Sequence, residues 1–84
     1  MITGDQIRAA RALLNWSARE LAENCGLGVA TIRRMELVAG VPSSNAQNLD
    51  RVQRTFEEFG IEFIGDPDDC PGVRNLRIRR GLKN

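Results

Sequence analysis

Apolar Ile7, Ala10 and Leu14, flanked by Ala9 and Leu13, recur at three- and four-residue intervals and predict an amphipathic helix from about Gly4 to Leu14. Thr3 and Gln6 before it have the spacing of a capping box, in which a hydroxyl and a longer polar side chain satisfy each other's backbone amides. Asn15 and Trp16 interrupt the period. Ser17 and Glu20 then repeat the capping spacing, so a second, shorter helix is expected over about Ala18 to Cys25, with Leu21, Ala22 and Cys25 inward. Gly26 stands where a chain leaving a helix often needs positive φ, after which Leu27 can return to the core. A third helix is expected to start near Val29 with Ile32 and Met35 inward, leaving Thr31, Arg33 and Arg34 on wetter sides.

Gly40 and Pro42 oppose continuation of that helix. Ser44 and Gln47 give a third capping spacing, and Leu49, Val52, Phe56 and Phe59 mark one face of a fourth helix reaching Gly60. Beyond Gly60 the period changes. Residues 61–64 and 76–79 read as short strands around a 65–72 loop rich in Gly, Pro and Asp. Val73 and Leu76 are three apart, so a bulge near Arg74 and Asn75 would be needed to put them on one face. The expected fold is mainly α: four helices over residues 1–60 and a β-hairpin tail over 61–84, which leans on the helices or pairs with a symmetry mate.

A chain of 84 residues has room for one modest core. With no histidine and two cysteines it lacks the ligands of a zinc cluster and the thiols of a disulfide scaffold. No stretch resembles a signal peptide or a membrane span, so a cytoplasmic location and no membrane partner are expected. The net charge of +1 neither requires nor forbids a polyanionic partner, but its distribution is uneven. Glu57, Glu58, Glu62, Asp66, Asp68 and Asp69 are followed by Arg74, Arg77, Arg79, Arg80 and Lys83, so the tail can meet its acidic neighbour, a second subunit or nucleic acid.

Two short helices around a tight glycine-containing turn are the minimum for laying one helix in a DNA major groove while the other braces it. The series Trp16-Ser17, Glu20-Leu21-Ala22, Gly26-Leu27, Ala30-Thr31-Ile32 and Arg34-Met35-Glu36 resembles the helix-turn-helix of the phage repressor and Cro family. The resemblance spans roughly residues 5 to 58 and implies a lambda-repressor-like fold. The tail, through Gly60-Ile61-Glu62-Phe63-Ile64 and Pro71-Gly72-Val73-Arg74, looks like that of short single-domain bacterial regulators of transcription.

The resemblance also implies roles. Arg11 and Glu36 match a base on the first helix and the acid closing the third, which pair to fix the angle of the reading helix; otherwise they are two solvated charges. Trp16 matches a large apolar residue packed between helices one and two, in preference to a base-stacking one. Leu21, Ala22, Leu27, Ile32 and Met35 match fold residues. Ala18 stands where glutamine often grips a phosphate, and offers only its backbone N–H. Gly28 replaces the usual Ser or Thr cap of helix three. Val29 and Ala30 begin the outward positions, where valine can touch a thymine methyl but reads no polar base edge. Arg34 is turned toward base edges and Arg33 toward the backbone, with solvated surface arginines the plainer alternative. Thr31 touches a phosphate or holds the local backbone, and Asn45 and Gln47 sit at phosphate contacts or simply cap helix four.

Other chemistry is discounted. Gly26-Leu27-Gly28 follows a helix and lacks the last glycine of a dinucleotide loop, and Asp66, Asp68 and Asp69 lack the glycine and glutamate of an EF-hand. No histidine is present to activate a serine, so no enzyme, metal or cofactor is expected. The leading expectation is a sequence-specific double-stranded DNA-binding regulator, a homodimeric repressor or autoregulator. The alternative is a protein-interaction module or antiactivator that keeps the fold and binds a transcription factor. A positive face shared by Arg11, Arg33, Arg34 and Asn45 would favour DNA; an apolar patch around Val29, Ala30 and Val38 would favour protein.

Overall fold

The computed structural model describes residues 1–76. Within them the chain forms α1 (Gly4–Leu14), α2 (Ala18–Cys25), α3 (Val29–Glu36), α4 (Ala46–Glu58) and an antiparallel pair, β1 (Ile61–Asp66) and β2 (Asp69–Asn75). The first two helices start as their spacing requires. Thr3 and Ser17 accept from the amides of Gln6 and Glu20, whose side chains accept from the Thr3 and Ser17 amides in return. Gly26 ends α2 at φ 73°, the left-handed geometry anticipated for it, and Asn15 ends α1 in the same way at φ 59°.

The third capping box does not form. Asn45, not Ser44, caps α4, its Oδ1 accepting from the amides of Gln47 at 2.7 Å and Asn48 at 3.3 Å. The asparagine oxygen is one residue closer to the helix, so the Ser44–Gln47 spacing is coincidental. The helix ends at Glu58, two residues short of Gly60.

The core unites all the helices with the first strand: Ile7 and Ala10 of α1, Leu21, Ala22 and Cys25 of α2, Ile32 and Met35 of α3, Leu49, Val52 and Phe56 of α4, and Ile61 of β1. Leu13, expected to widen the inward stripe, is 41% exposed instead, because α1 turns it past the edge of its packed face. All four aromatic side chains form one chain. Trp16 stacks on Phe56 at 5.8 Å and meets Phe59 edge-on at 4.8 Å, and Phe56 meets Phe63 at 5.9 Å. Trp16 therefore anchors the α1–α2 turn to α4 and packs against the core, as a fold residue.

The N-terminal residues join this core. Ile2 and Thr3 are buried, and the Gly4 and Asp5 amides donate to the carbonyls of Gly40 and Ala39 at 2.8 and 3.4 Å. Helix α1 thus uses its unpaired first-turn donors to hold the segment that leaves α3. The contact is so close that a Cβ on Gly4 would lie inside the van der Waals envelope of the Val38 carbonyl and 2.6 Å from that of Met35.

The hairpin differs from the expected one. Its turn is at Pro67 and Asp68, not across residues 65–72, and β2 starts at Asp69, before the predicted strand 76–79. Leu76 falls just past β2, and Arg77, Ile78 and Arg79 lie outside the described residues. Pairing runs regularly from Ile61–Asn75 to Ile64–Gly72, so no bulge occurs at Arg74 and Asn75. The irregularity comes nearer the turn, where Gly65 faces two residues, Cys70 and Pro71, and both Gly65 and Cys70 take positive φ. Phe63 and Val73, paired across the ladder, pack on the core. Gln6 adds a polar latch, its Nε2 donating to the carbonyls of Gly72 at 2.8 Å and Ile64 at 3.2 Å. One side chain therefore caps α1 and ties it to both strands.

Candidate nucleic-acid interface

The orientation of α3 is set from behind. Arg11 holds Glu36 through two bonds, Nε to Oε2 at 2.7 Å and Nη2 to Oε1 at 2.8 Å, while its Nη1 donates to the Trp16 carbonyl at 2.9 Å. A single guanidinium so joins α1, the α1–α2 turn and the last residue of α3. Its hydrogen bonds to Glu36 push the Arg11 pKa up, against the opposing effect of partial burial, and the cation is permanent. Arg8 adds a bond to the Glu36 carbonyl and an ion pair with Asp5.

Helical geometry sorts the rest of α3. Ile32 and Met35 are fully inward; Val29, Thr31 and Glu36 are half-buried; Ala30, Arg33 and Arg34 are exposed. Residues 30, 33, 34 and 37 fall on one stripe, continued by Leu37 at 81% exposure. Val29 packs against the core instead of standing free on this face. Thr31 accepts from Arg34 Nη2 at 3.3 Å, which leans that guanidinium along the helix.

The flanking groups are sparse in polar side chains. Ala18 is half-buried against the core, so α2 offers its N-terminal amides beside the Glu20 carboxylate. Gly28 gives α3 no side-chain cap, and a Cβ there would meet nothing within 4 Å. Asn45 is exposed at the start of α4 with its Oδ1 committed to capping. Between the end of α3 and the start of α4 runs an open groove, with Arg34, Leu37 and Val38 on one side and Ser44, Asn45 and Asn48 on the other.

The four groups named for a positive face do not all share it. Arg33 and Arg34 do, and Asn45 borders the groove beside Arg34, but Arg11 is turned inward by Glu36. The apolar alternative is also redistributed: Val29 is withdrawn, Ala30 and Val38 are exposed, and Leu37 and Val41 join them. Leu37 was not singled out from the sequence, although its three- and four-residue spacing from Arg34 and Arg33 places it on their face. Arg51 was also overlooked; its guanidinium reaches over the α2–α3 turn, 3.7 Å from where a Cβ of Gly26 would stand.

Both cysteines are free, Cys25 buried and Cys70 exposed. Burial pushes the Cys25 thiol up, outweighing backbone hydrogen bonds and the Arg51 charge. An aromatic disulfide reagent is therefore expected to titrate Cys70 rapidly in the native protein and Cys25 only on unfolding; two fast thiols would contradict the packing. Because the folded state favours the neutral thiol, its contribution to stability is complete at neutral pH. It declines as pH rises past the unfolded thiol's value of about 8.5.

A comparison with family models matches residues 7–43 to a helix-turn-helix family. Residues 7–43, somewhat less than half of the chain, are similar to that family. The match takes in α1, α2, α3 and the segment after α3, and leaves α4 and the hairpin outside. It takes in the exposed Ala30, Arg33 and Arg34 face of α3, which is the candidate interface. No match is found among curated proteins. Among the described residues, no helix is long and apolar enough to cross a membrane and no cluster could hold a metal ion.

Proposed function

We propose that the chain is a sequence-specific double-stranded DNA-binding transcriptional regulator, acting as a homodimeric repressor or autoregulator. The observation that carries this reading is the pair Arg33 and Arg34, exposed on the outer face of a helix whose angle is fixed by Arg11 and Glu36. Arg34 takes the role of base reader, a bidentate contact to guanine O6 and N7, and Arg33 that of backbone contact. The α2 amides at Ala18, together with Thr31 and Asn45, supply phosphate contacts, and Ala30 and Val29 give a small apolar surface that permits close approach. One module with so few polar clamps binds weakly, and two-fold pairing, with the hairpin contributing, doubles the contacts and imposes half-site spacing.

The test is binding to the duplex upstream of the chain's own reading frame, with a scrambled duplex as control. Arg34→Ala is expected to cost about 1–3 kcal/mol on the matched duplex and to flatten the preference between the two. Ala18→Gln should improve binding to both alike, since an amide there grips phosphate without reading a base. A second reading, a protein-interaction module or antiactivator, is favoured by Leu37, Val38 and Val41, which are 81%, 42% and 38% exposed beside the same face. If Arg34→Ala leaves DNA affinity and selectivity unchanged while binding to a transcription factor is lost, that second reading replaces the first.

A further inference from the structure

Ion pairing sorts the arginines by element. Arg8 and Arg11 of α1, Arg54 of α4 and Arg74 of β2 are held by Asp5, Glu36, Asp50 and Glu62. Among the described residues, the arginines without an ion pair are Arg19 on α2, Arg33 and Arg34 on α3, and Arg51 on α4. Helix α1 and the hairpin contribute none, so the free positive charge belongs to the three helices that border the interface. Arg33 and Arg34 already have roles in the reading above; Arg51 has none.

The surroundings of Arg51 leave its charge uncompensated. Its neighbours three and four residues away on α4 are Gln47, Asn48, Arg54 and Thr55, none of them acidic, whereas Arg54 finds Asp50 at 2.9 Å on the same helix. The Arg51 guanidinium lies instead over the turn before α3, with Nη1 3.7 Å from where a Cβ of Gly26 would stand. The side chain is exposed and lines an open groove along α4 with Gln47 and Asn48. Of the acids in that groove, Asp50 is taken by Arg54 and Glu58 lies about two turns farther along the helix. Asn48 also lines the groove between α3 and α4 that holds Arg34 and Asn45. The polar path from Arg34 past Asn48 therefore ends, about one turn farther along α4, on an unneutralised guanidinium beside the start of α3.

Resting on the DNA-binding reading above, we infer that Arg51 binds a backbone phosphate of the duplex on the side of α3 that faces α4. A guanidinium suits this task because its fork of donors matches phosphate oxygens and its charge is permanent. The contact adds affinity without reading a base, where Ala18 and Gly28 bring no polar side chain. Each phosphate neutralised releases counterions, so the contribution of Arg51 is legible in the salt dependence of binding.

The experiment compares the full-length chain with its Arg51→Gln, Arg51→Lys and Arg54→Gln variants on the matched and scrambled duplexes across a salt series. Arg51→Gln should lose about 1 from the slope of log K against log salt and about five- to tenfold in affinity near 0.1 M salt, equally on both duplexes. Arg51→Lys should restore the slope. Arg54→Gln removes the same charge from a paired arginine on the same helix and should leave the slope unchanged. Equal slope losses for Arg51→Gln and Arg54→Gln overturn the contact, because net charge alone then explains them. A weaker Arg51→Gln with an unchanged slope and a lowered melting temperature also overturns it and assigns the side chain to holding the α2–α3 turn. If Arg51→Gln binds as the parent does while Arg34→Ala loses selectivity, the phosphate contact is wrong and the DNA-binding reading stands. If the full-length chain binds neither duplex at low salt, both fall together.

Discussion

Replacing Gly4 with alanine is expected to lower stability by about 3 kcal/mol, at the upper end of the cost of overpacking. The added methyl would collide with the carbonyls of Val38 and Met35, and both obstacles are backbone. A flexible side chain could swing aside; these carbonyls move only if the end of α3 and the segment after it move with them. Relief by shifting α1 instead would break the Gly4–Gly40 and Asp5–Ala39 hydrogen bonds and unseat Ile2, which is 2% exposed. With total stability of about 4–13 kcal/mol for a chain of this length, the variant should melt at least about 10 °C lower. Thermal unfolding followed by circular dichroism checks this, and a variant that melts with the parent would show that α1 does not approach α3 so closely.

Arg11→Ala should cost about 2–3 kcal/mol. An exposed ion pair contributes at most about 1 kcal/mol, and removing one partner of a fully buried pair costs about 3–5 kcal/mol. Arg11 and Glu36 fall between, with side chains 23% and 9% exposed. The loss includes the Trp16 carbonyl bond, and it leaves the Glu36 carboxylate facing a low-dielectric gap. Chemical denaturation of Arg11→Ala, Glu36→Gln and the double variant measures the coupling between the two positions. Additive single losses would mean that the pair is decorative; a coupling above about 1 kcal/mol is expected for groups sharing two hydrogen bonds. Arg11→Ala should also weaken binding to DNA by loosening the angle of α3, although Arg11 itself faces away from the interface.

Local rules carried the helices. The capping boxes at Thr3 and Ser17, the left-handed exit at Gly26 and the inward positions of α2 and α3 depend on neighbours within four residues, so spacing alone determined them, as it did the exposure of Arg33 and Arg34; the pairing of Arg11 with Glu36, 25 residues apart, came only from the family resemblance. Competing local signals were harder to rank: Ser44 and Asn45 both offer a capping oxygen, and only the backbone path from Pro42 into α4 decided for Asn45. The hairpin register was beyond local pattern. A slip of two residues keeps every side chain on its own face, so alternation alone does not choose between such registers. What set the observed register was tertiary: Phe63 and Val73 on the helical core, Gln6 bonded to both strands, and the extra residue absorbed opposite Gly65.

The sequence by itself determined the element types, the helix-turn-helix spacing and the identity of the outward side chains of α3, because each follows from interactions a few residues long. Only the tertiary structure decided that Gln6 would latch the hairpin, that Gly4 would seat α1 against the backbone leaving α3, that Trp16 would pack on α4, and that Arg11 would leave the positive face. Each of those outcomes depends on which distant groups meet in the one small core, where a buried donor or charge must find a partner wherever the chain supplies one.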